Sequence, residues 1–203
     1  DMAHARGVQV IVDGAHAFAH IKYRIDELNC DYYAASLHKW LSSPLGAGLL
    51  YVNKNNIKNL WPLLADGEKD INKINRLNHI GTHPVHTDLT INDCIDYFEM
   101  MGAERKQARM YFLQNYWTSK IKNNPKIILN TPTDAIRCCG IANVGIEGIT
   151  PADLAKRLLS EHKIFTVAID YANVRGCRIT PNLYTTTQEL DQFVEALNIL
   201  AKA

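Results

Sequence analysis

The chain has 203 residues, 47% of them hydrophobic, which suffices for the core of one large domain or of a domain and a half. Lys and Arg number 22 against 21 Asp and Glu. That formal net charge of +1, with no basic stripe, gives no electrostatic reason to expect nucleic acid or an anionic membrane as partner.

The apolar runs "VQVIV" and "GLLYV" are too short to span a bilayer, and the N-terminus lacks the order of a signal peptide, so a cytoplasmic location is expected. The opening "DMAHARG" reads as the last turns of a helix closed by Gly7, and implies a chain that starts inside a domain. "VQVIV" (8–12) has the pattern of a strand covered on both faces of a parallel or mixed sheet, and Asp13-Gly14 ends it. Function in such sheets gathers at strand ends. A short helix is expected within 15–28, strands over 31–36 and 46–52 with "SSPLG" as a turn between them, and a short helix over 54–60.

Residues 62–84, which include "IGTHP", read as an extended loop. From Thr90 to Lys122 the spacing of Ile91, Ile95, Phe98, Met101, Ala108, Phe112 and Tyr116 is helical, with an interruption near Gly102. Strands follow at "IIL" and "CGIANVGI", then a helix from Pro151 to His162 with Thr150 as its cap. Strands at "FTVAI" and "CRI" precede a helix over 187–203, with Leu190, Phe193, Leu197 and Leu200 on one face. The expected organisation is part of a large domain over 1–89, a bridging helix over 90–122 and a small α+β domain over 123–203.

Five cysteines without a CxxC spacing suit reduced thiols, and with the eight histidines they complete no zinc quartet, so no metal is expected. Adjacent Cys138 and Cys139 are expected to flank a strand, one side chain in and one out.

Lysines are usually solvated surface residues. Lys39 stands apart because it lies between His38 and Trp40, after the small and apolar "YYAAS" and before a Gly-rich turn. Desolvation there would lower its pKa and free its amine to attack a carbonyl. Asp13 alone is compatible with a mere turn.

Together, the strand ending in Asp13-Gly-Ala-His16 and the later Ser36-x-His38-Lys39 resemble the pyridoxal-phosphate (PLP) enzymes of fold type I, and within them the class V aminotransferase family. The resemblance covers nearly the whole chain. It implies an α/β fold, namely the C-terminal half of a fold type I transferase, with part of a mixed, mostly parallel large domain and a small C-terminal α+β domain. The family's N-terminal portion, which cups the phosphate and stacks on the ring, is absent from these residues.

The resemblance also implies roles. Lys39 would hold the cofactor aldehyde as a Schiff base and shuttle the substrate proton. Asp13 would keep the pyridine nitrogen protonated, His16 would donate to the ring oxygen, and Ser36 and His38 would contact the phosphate. Thr82, in "GTHP", would bind the phosphate of a partner's cofactor, which implies a homodimer with shared active sites.

"CRITPNLYTTTQELDQF" is similar to the family's substrate-arginine segment, with Arg178 as the carboxylate ligand and Tyr184 as its tyrosine. Thr180 and Thr185 replace the usual Ser and Asn there, and Arg175 is a competing arginine. Cysteine desulfurases need a nucleophilic cysteine shortly before that arginine, and Cys177 reads instead as a small buried hydrophobe. The features together look most like the isopenicillin N epimerase branch, acting at the α-carbon of an amino acid. A PLP-dependent lyase related to selenocysteine lyases or cysteine desulfurases is the alternative. A noncatalytic dimerisation fragment is the alternative from another class.

Overall fold

The computed structural model describes residues 1–64, 67–78, 81–83 and 85–202. They form two compact units, Asp1–Ala103 and Glu104–Ala203.

The first unit is built on a three-stranded sheet of β1 (Ile11–Asp13), β2 (Tyr32–Ser36) and β3 (Gly48–Val52), in that order. β1 and β2 are parallel, with Asp13 opposite Ala34; β2 and β3 are antiparallel, with Ala34 opposite Leu50. Strand alternation therefore puts Ile11, Asp13, Tyr32, Ala34, Ser36 and Leu50 on one face. On the other face Val12, Tyr33, Ala35, Leu49 and Tyr51 pack with Cys30, Phe18 and Ile25.

β1 is shorter than the β-branched run suggests, and only one of its faces is covered by described residues. Ile11 is 70% exposed and Leu50 56%. The segment before β1 is held by Asp31, whose carboxylate accepts from Val10 N–H (2.7 Å), His4 (2.8 Å) and Asn56 (2.6 Å). These bonds, the Val10 N–H first, hold the Asp31 carboxyl below the usual range.

Other local expectations also shift. The short helices expected within 15–28 and over 54–60 are 3-10 helices, Ile25–Leu28 after turns over 15–20, and Lys54–Asn59 capped by the Asn53 side chain. The segment 62–84 is not wholly extended, since Ile74–Leu77 makes a 3-10 turn. Arg76 anchors it, buried, with its guanidinium donating to the carbonyls of Ile71, Ile57 and Leu60. A four-residue helix, α1 (Leu37–Trp40), follows β2 directly. Further on lie α2 (His86–Leu89) and α3 (Ile91–Met101). Gly102, at φ +82°, ends α3, so the long helical period is two helices.

The second unit begins in α4 (Ala103–Ile121). Its antiparallel sheet has the order β4-β5-β7-β6, from β4 (Ile127–Leu129), β5 (Ala142–Ile146), β6 (Val167–Tyr171) and β7 (Val174–Ile179). α5 (Pro151–His162) starts on the Thr150 side chain, which accepts from Asp153 N–H, and α6 (Thr187–Leu200) closes the unit. Leu113, Trp117, Val144, Leu154, Leu158, Cys177, Phe193 and Leu197 meet in one core, with the Trp117 and Phe193 rings edge to face at 5.3 Å. Cys138 and Cys139 sit in the loop before β5 rather than on a strand, Cys139 buried and Cys138 half-buried. No described helix is long and apolar enough to cross a membrane.

Candidate active site

Because β1 and β2 run in the same direction, their C-terminal ends open on one sheet edge. Gly14 N–H donates to Ala34 O (2.8 Å) and fixes the chain as it leaves β1. Two residues past Ala34, Ser36 precedes α1, which carries His38 and Lys39. The fold thus brings Asp13, His16, Ser36, His38 and Lys39 to a single edge, as strand ends do in sheets of this kind.

The polar atoms at this edge are sparsely used. Asp13 is exposed, and its Oδ1 accepts from Ala15 N–H (3.0 Å). Ser36 makes no capping bond to α1. His38 Nδ1 is buried without a hydrogen-bond partner among the described residues. Lys39 is half-buried, and no ion pair or hydrogen bond of its ammonium occurs among the described residues. His38 and Lys39, successive residues of α1, thus both keep unused hydrogen-bonding capacity among the described residues.

His16 is held by residues that the sequence reading passed over. The indole of buried Trp40 donates to His16 Nδ1 (3.4 Å), which puts the proton of a neutral ring on Nε2. His20 stacks on Trp40 at 4.0 Å, and its Nδ1–H donates to His16 O (2.8 Å). Below the edge, the Tyr33 hydroxyl donates to Gly14 O (3.3 Å) and bonds the Tyr23 hydroxyl, and burial raises both phenols. A Cβ on Gly14 would lie 1.9 Å from the Tyr33 ring, so the residue after Asp13 must be glycine. The histidine pair with a tryptophan was the available signal, but only tertiary contact reveals its partners.

Thr82 is exposed, after Gly81 at φ +69°. Its neighbour His83 pairs with Asp88 (3.0 Å), which raises the His83 pKa. Ile80 and Pro84 of "IGTHP" lie outside the described residues. No described contact brings Thr82 to the Lys39 edge.

In the second unit the two arginines separate clearly. Arg175 is exposed and paired with Asp170 (3.2 Å). Arg178, opposite Asn143 on β5, is half-buried, and its Nε is buried without a partner. Of the two, Arg178 is therefore the one whose guanidinium keeps unused donor capacity. Cys177 points the opposite way, fully buried, its thiol 3.5 Å from Pro151 O and raised in pKa by burial. Burial likewise pushes Cys139 up to about 11. Tyr184 is 82% exposed, while Thr185 Oγ1 accepts from Asn182 N–H and Thr185 O from Arg109.

The family model for aminotransferase class-V matches residues 1–193. The chain is 27% identical over 215 aligned residues to isopenicillin N epimerase of Streptomyces clavuligerus, covering 98% of this chain and 54% of that protein. It is 25% identical to the cysteine desulfurase of Wigglesworthia glossinidia brevipalpis, covering 94% and 50%. The chain therefore spans about half the length of the curated relatives it matches.

Among solved structures, the apo cysteine desulfurase of Thermococcus onnurineus NA1 superposes with a TM-score of 0.84 at 20% identity, over 99% of this chain and 54% of that one. A C-DES variant with glycine covalently linked to its PLP cofactor superposes with a TM-score of 0.79 at 18% identity, over 94% and 51%. With its family model and its fold in agreement, the chain belongs to the class V aminotransferase family, of the pyridoxal-phosphate fold type I.

Proposed function

We propose that this chain carries the catalytic lysine and the substrate arginine of a PLP-dependent enzyme that acts at the α-carbon of an amino acid, in the manner of the isopenicillin N epimerase branch. One observation carries the reading: Lys39, an amine without a partner among the described residues, follows His38 with its orphaned Nδ1 on α1, at the edge where parallel register also delivers Asp13.

The residues fit the cofactor group by group. When bound, pyridoxal 5'-phosphate supplies an electron sink for charge released at the α-carbon. Lys39 Nζ would be the covalent anchor of the cofactor, and its amine would take the α-proton of the substrate and return it. Asp13 would hold a proton on the ring nitrogen through its carboxylate, and His16 Nε2–H would donate to the ring oxygen. Ser36 Oγ and the His38 ring hold phosphate oxygens, and Arg178 holds the substrate carboxylate. Thr82 serves the phosphate of a second copy, which makes the active form a homodimer.

Elimination from Cβ uses the same residues, so a lyase remains the second reading, favoured by the desulfurase likeness. A thiol nucleophile at Cys177 is opposed by its burial on the core side of β7.

The test is to load the full-length protein with PLP, reduce it with borohydride and map the peptides. The cofactor mass is expected on Lys39, and the violet absorbance is expected to vanish in Lys39→Ala. Label on another lysine, or a colourless protein, would overturn the reading.

A further inference from the structure

The antiparallel register of β5 and β7 sets Asn143 directly opposite Arg178, so both side chains leave the same face of the sheet, about 5 Å apart at Cβ. Their neighbours Val144 and Cys177 turn the other way, into the core.

Every polar group of Asn143 but one is accounted for. Its N–H donates to Thr131 Oγ1 (2.8 Å), and its carbonyl accepts from Asn130 N–H (3.0 Å). Its side-chain Oδ1 accepts from Asn130 Nδ2 (2.7 Å), and this bond fixes which way round the amide lies. The remaining Nδ2 is buried without a partner among the described residues, in a residue only 9% exposed. Beside it the Arg178 Nε is a second buried, unpartnered donor.

Two orphan donors cannot satisfy one another, since neither accepts. Leaving both unmet is unfavourable, and a third group with lone pairs would remove that cost. The backbone makes room for the arrangement. A Cβ on Gly176 would lie 2.5 Å from Asn143 Oδ1 and 2.4 Å from Val144 O, so only glycine leaves the amide in place.

We propose that Asn143 is a second ligand of the substrate carboxylate, its Nδ2–H and the Arg178 guanidinium donating to the same carboxylate group. The proposal rests on the assignment of Arg178 as the carboxylate ligand. It adds a specificity determinant. A charge alone attracts any anion, whereas a fixed neutral donor beside a guanidinium defines the plane and tilt of a carboxylate, and hence the presentation of the α-carbon.

The experiment titrates the full-length, PLP-loaded protein with L-alanine and with ethylamine, its counterpart without a carboxylate, following the visible absorbance. Asn143→Ala is expected to weaken L-alanine about tenfold or more, the worth of one hydrogen bond to a charged group, and to leave ethylamine unchanged. The isosteric Asn143→Asp keeps the acceptor that Asn130 needs and places a carboxylate against Arg178. It is expected to weaken L-alanine further than Asn143→Ala does, again without change for ethylamine.

Unchanged L-alanine affinity in both variants, with affinity lost in Arg178→Ala, would overturn the role of Asn143 alone. Equal losses for L-alanine and ethylamine in the Asn143 variants would reduce it to a structural residue. Unchanged discrimination in Arg178→Ala would overturn the underlying assignment and the proposal with it.

Discussion

Gly14 shows how closely the residue after Asp13 is constrained. The Tyr33 ring fills the place of a Cβ there, and the Tyr33 hydroxyl, braced by Tyr23, donates to the Gly14 carbonyl. Gly14→Ala must displace a fully buried ring, an overpacking that costs about 1–3 kcal/mol. A lowered urea midpoint, with the cofactor absorbance weakened because Asp13 moves, is the expected result; an unchanged midpoint would mean that Tyr33 is free to shift. Cys177 gives a second residue-level prediction. Its burial and raised pKa predict that it resists alkylation in the native protein and that Cys177→Ala retains turnover, while Lys39→Ala does not. Loss of turnover in Cys177→Ala with the fold intact would restore the desulfurase reading.

Among the elements, α6 is the most fully specified by local chemistry. Thr186 Oγ1 accepts from Glu189 N–H (3.2 Å), and Glu189 Oε2 accepts from Thr186 N–H (2.7 Å), a reciprocal cap ahead of Leu190, Phe193, Leu197 and Leu200. Thr186→Ala is expected to cost about 1 kcal/mol, read from thermal or urea unfolding. The Thr186 N–H, and then its hydroxyl, hold the Glu189 carboxyl below its ordinary value of 4.5. A depressed carboxyl contributes stability that is present above 4.5 and is lost as the pH falls through the lower, folded value. Glu189→Gln should therefore flatten that part of the acid-side loss, which a pH series of unfolding midpoints would detect.

Much of this level was legible in the sequence, because Thr150-Pro151, Gly102 and the spacing of Leu190 to Leu200 act locally. The candidate site was legible only as residue types: Asp13, Lys39 and Arg178 carried the family likeness, whereas the Trp40 and His20 clamp on His16 and the Asn143 donor depend on contacts between distant segments. The short helix expected within 15–28 is confined to the 3-10 helix Ile25–Leu28, for the same reason. His20 stacks on Trp40 there, and the chain turns instead of continuing. β1 read as covered on both faces because a β-branched run reads alike whether described residues cover one face or both.

At the scale of the whole chain, chemistry and stability are unevenly distributed. Among the described residues, the largest fully buried side chains, Tyr33 apart, all belong to Glu104–Ala203. Lys39, Asp13 and His16 belong to Asp1–Ala103, whose three-stranded sheet leaves Ile11 and Leu50 exposed. Local opening free energies follow buried apolar contact, so the unit that holds the lysine edge should open at lower cost than the unit that holds Arg178. A single two-state transition is then not expected for the 203-residue chain. Hydrogen exchange followed by mass spectrometry should find the amides of β1, β2 and β3 exchanging well before those of β5 and β7, and low urea should widen the gap. Equal protection in the two sheets, falling together with denaturant, would mean that the units unfold as one and that the small core around Tyr33 is reinforced by the larger one.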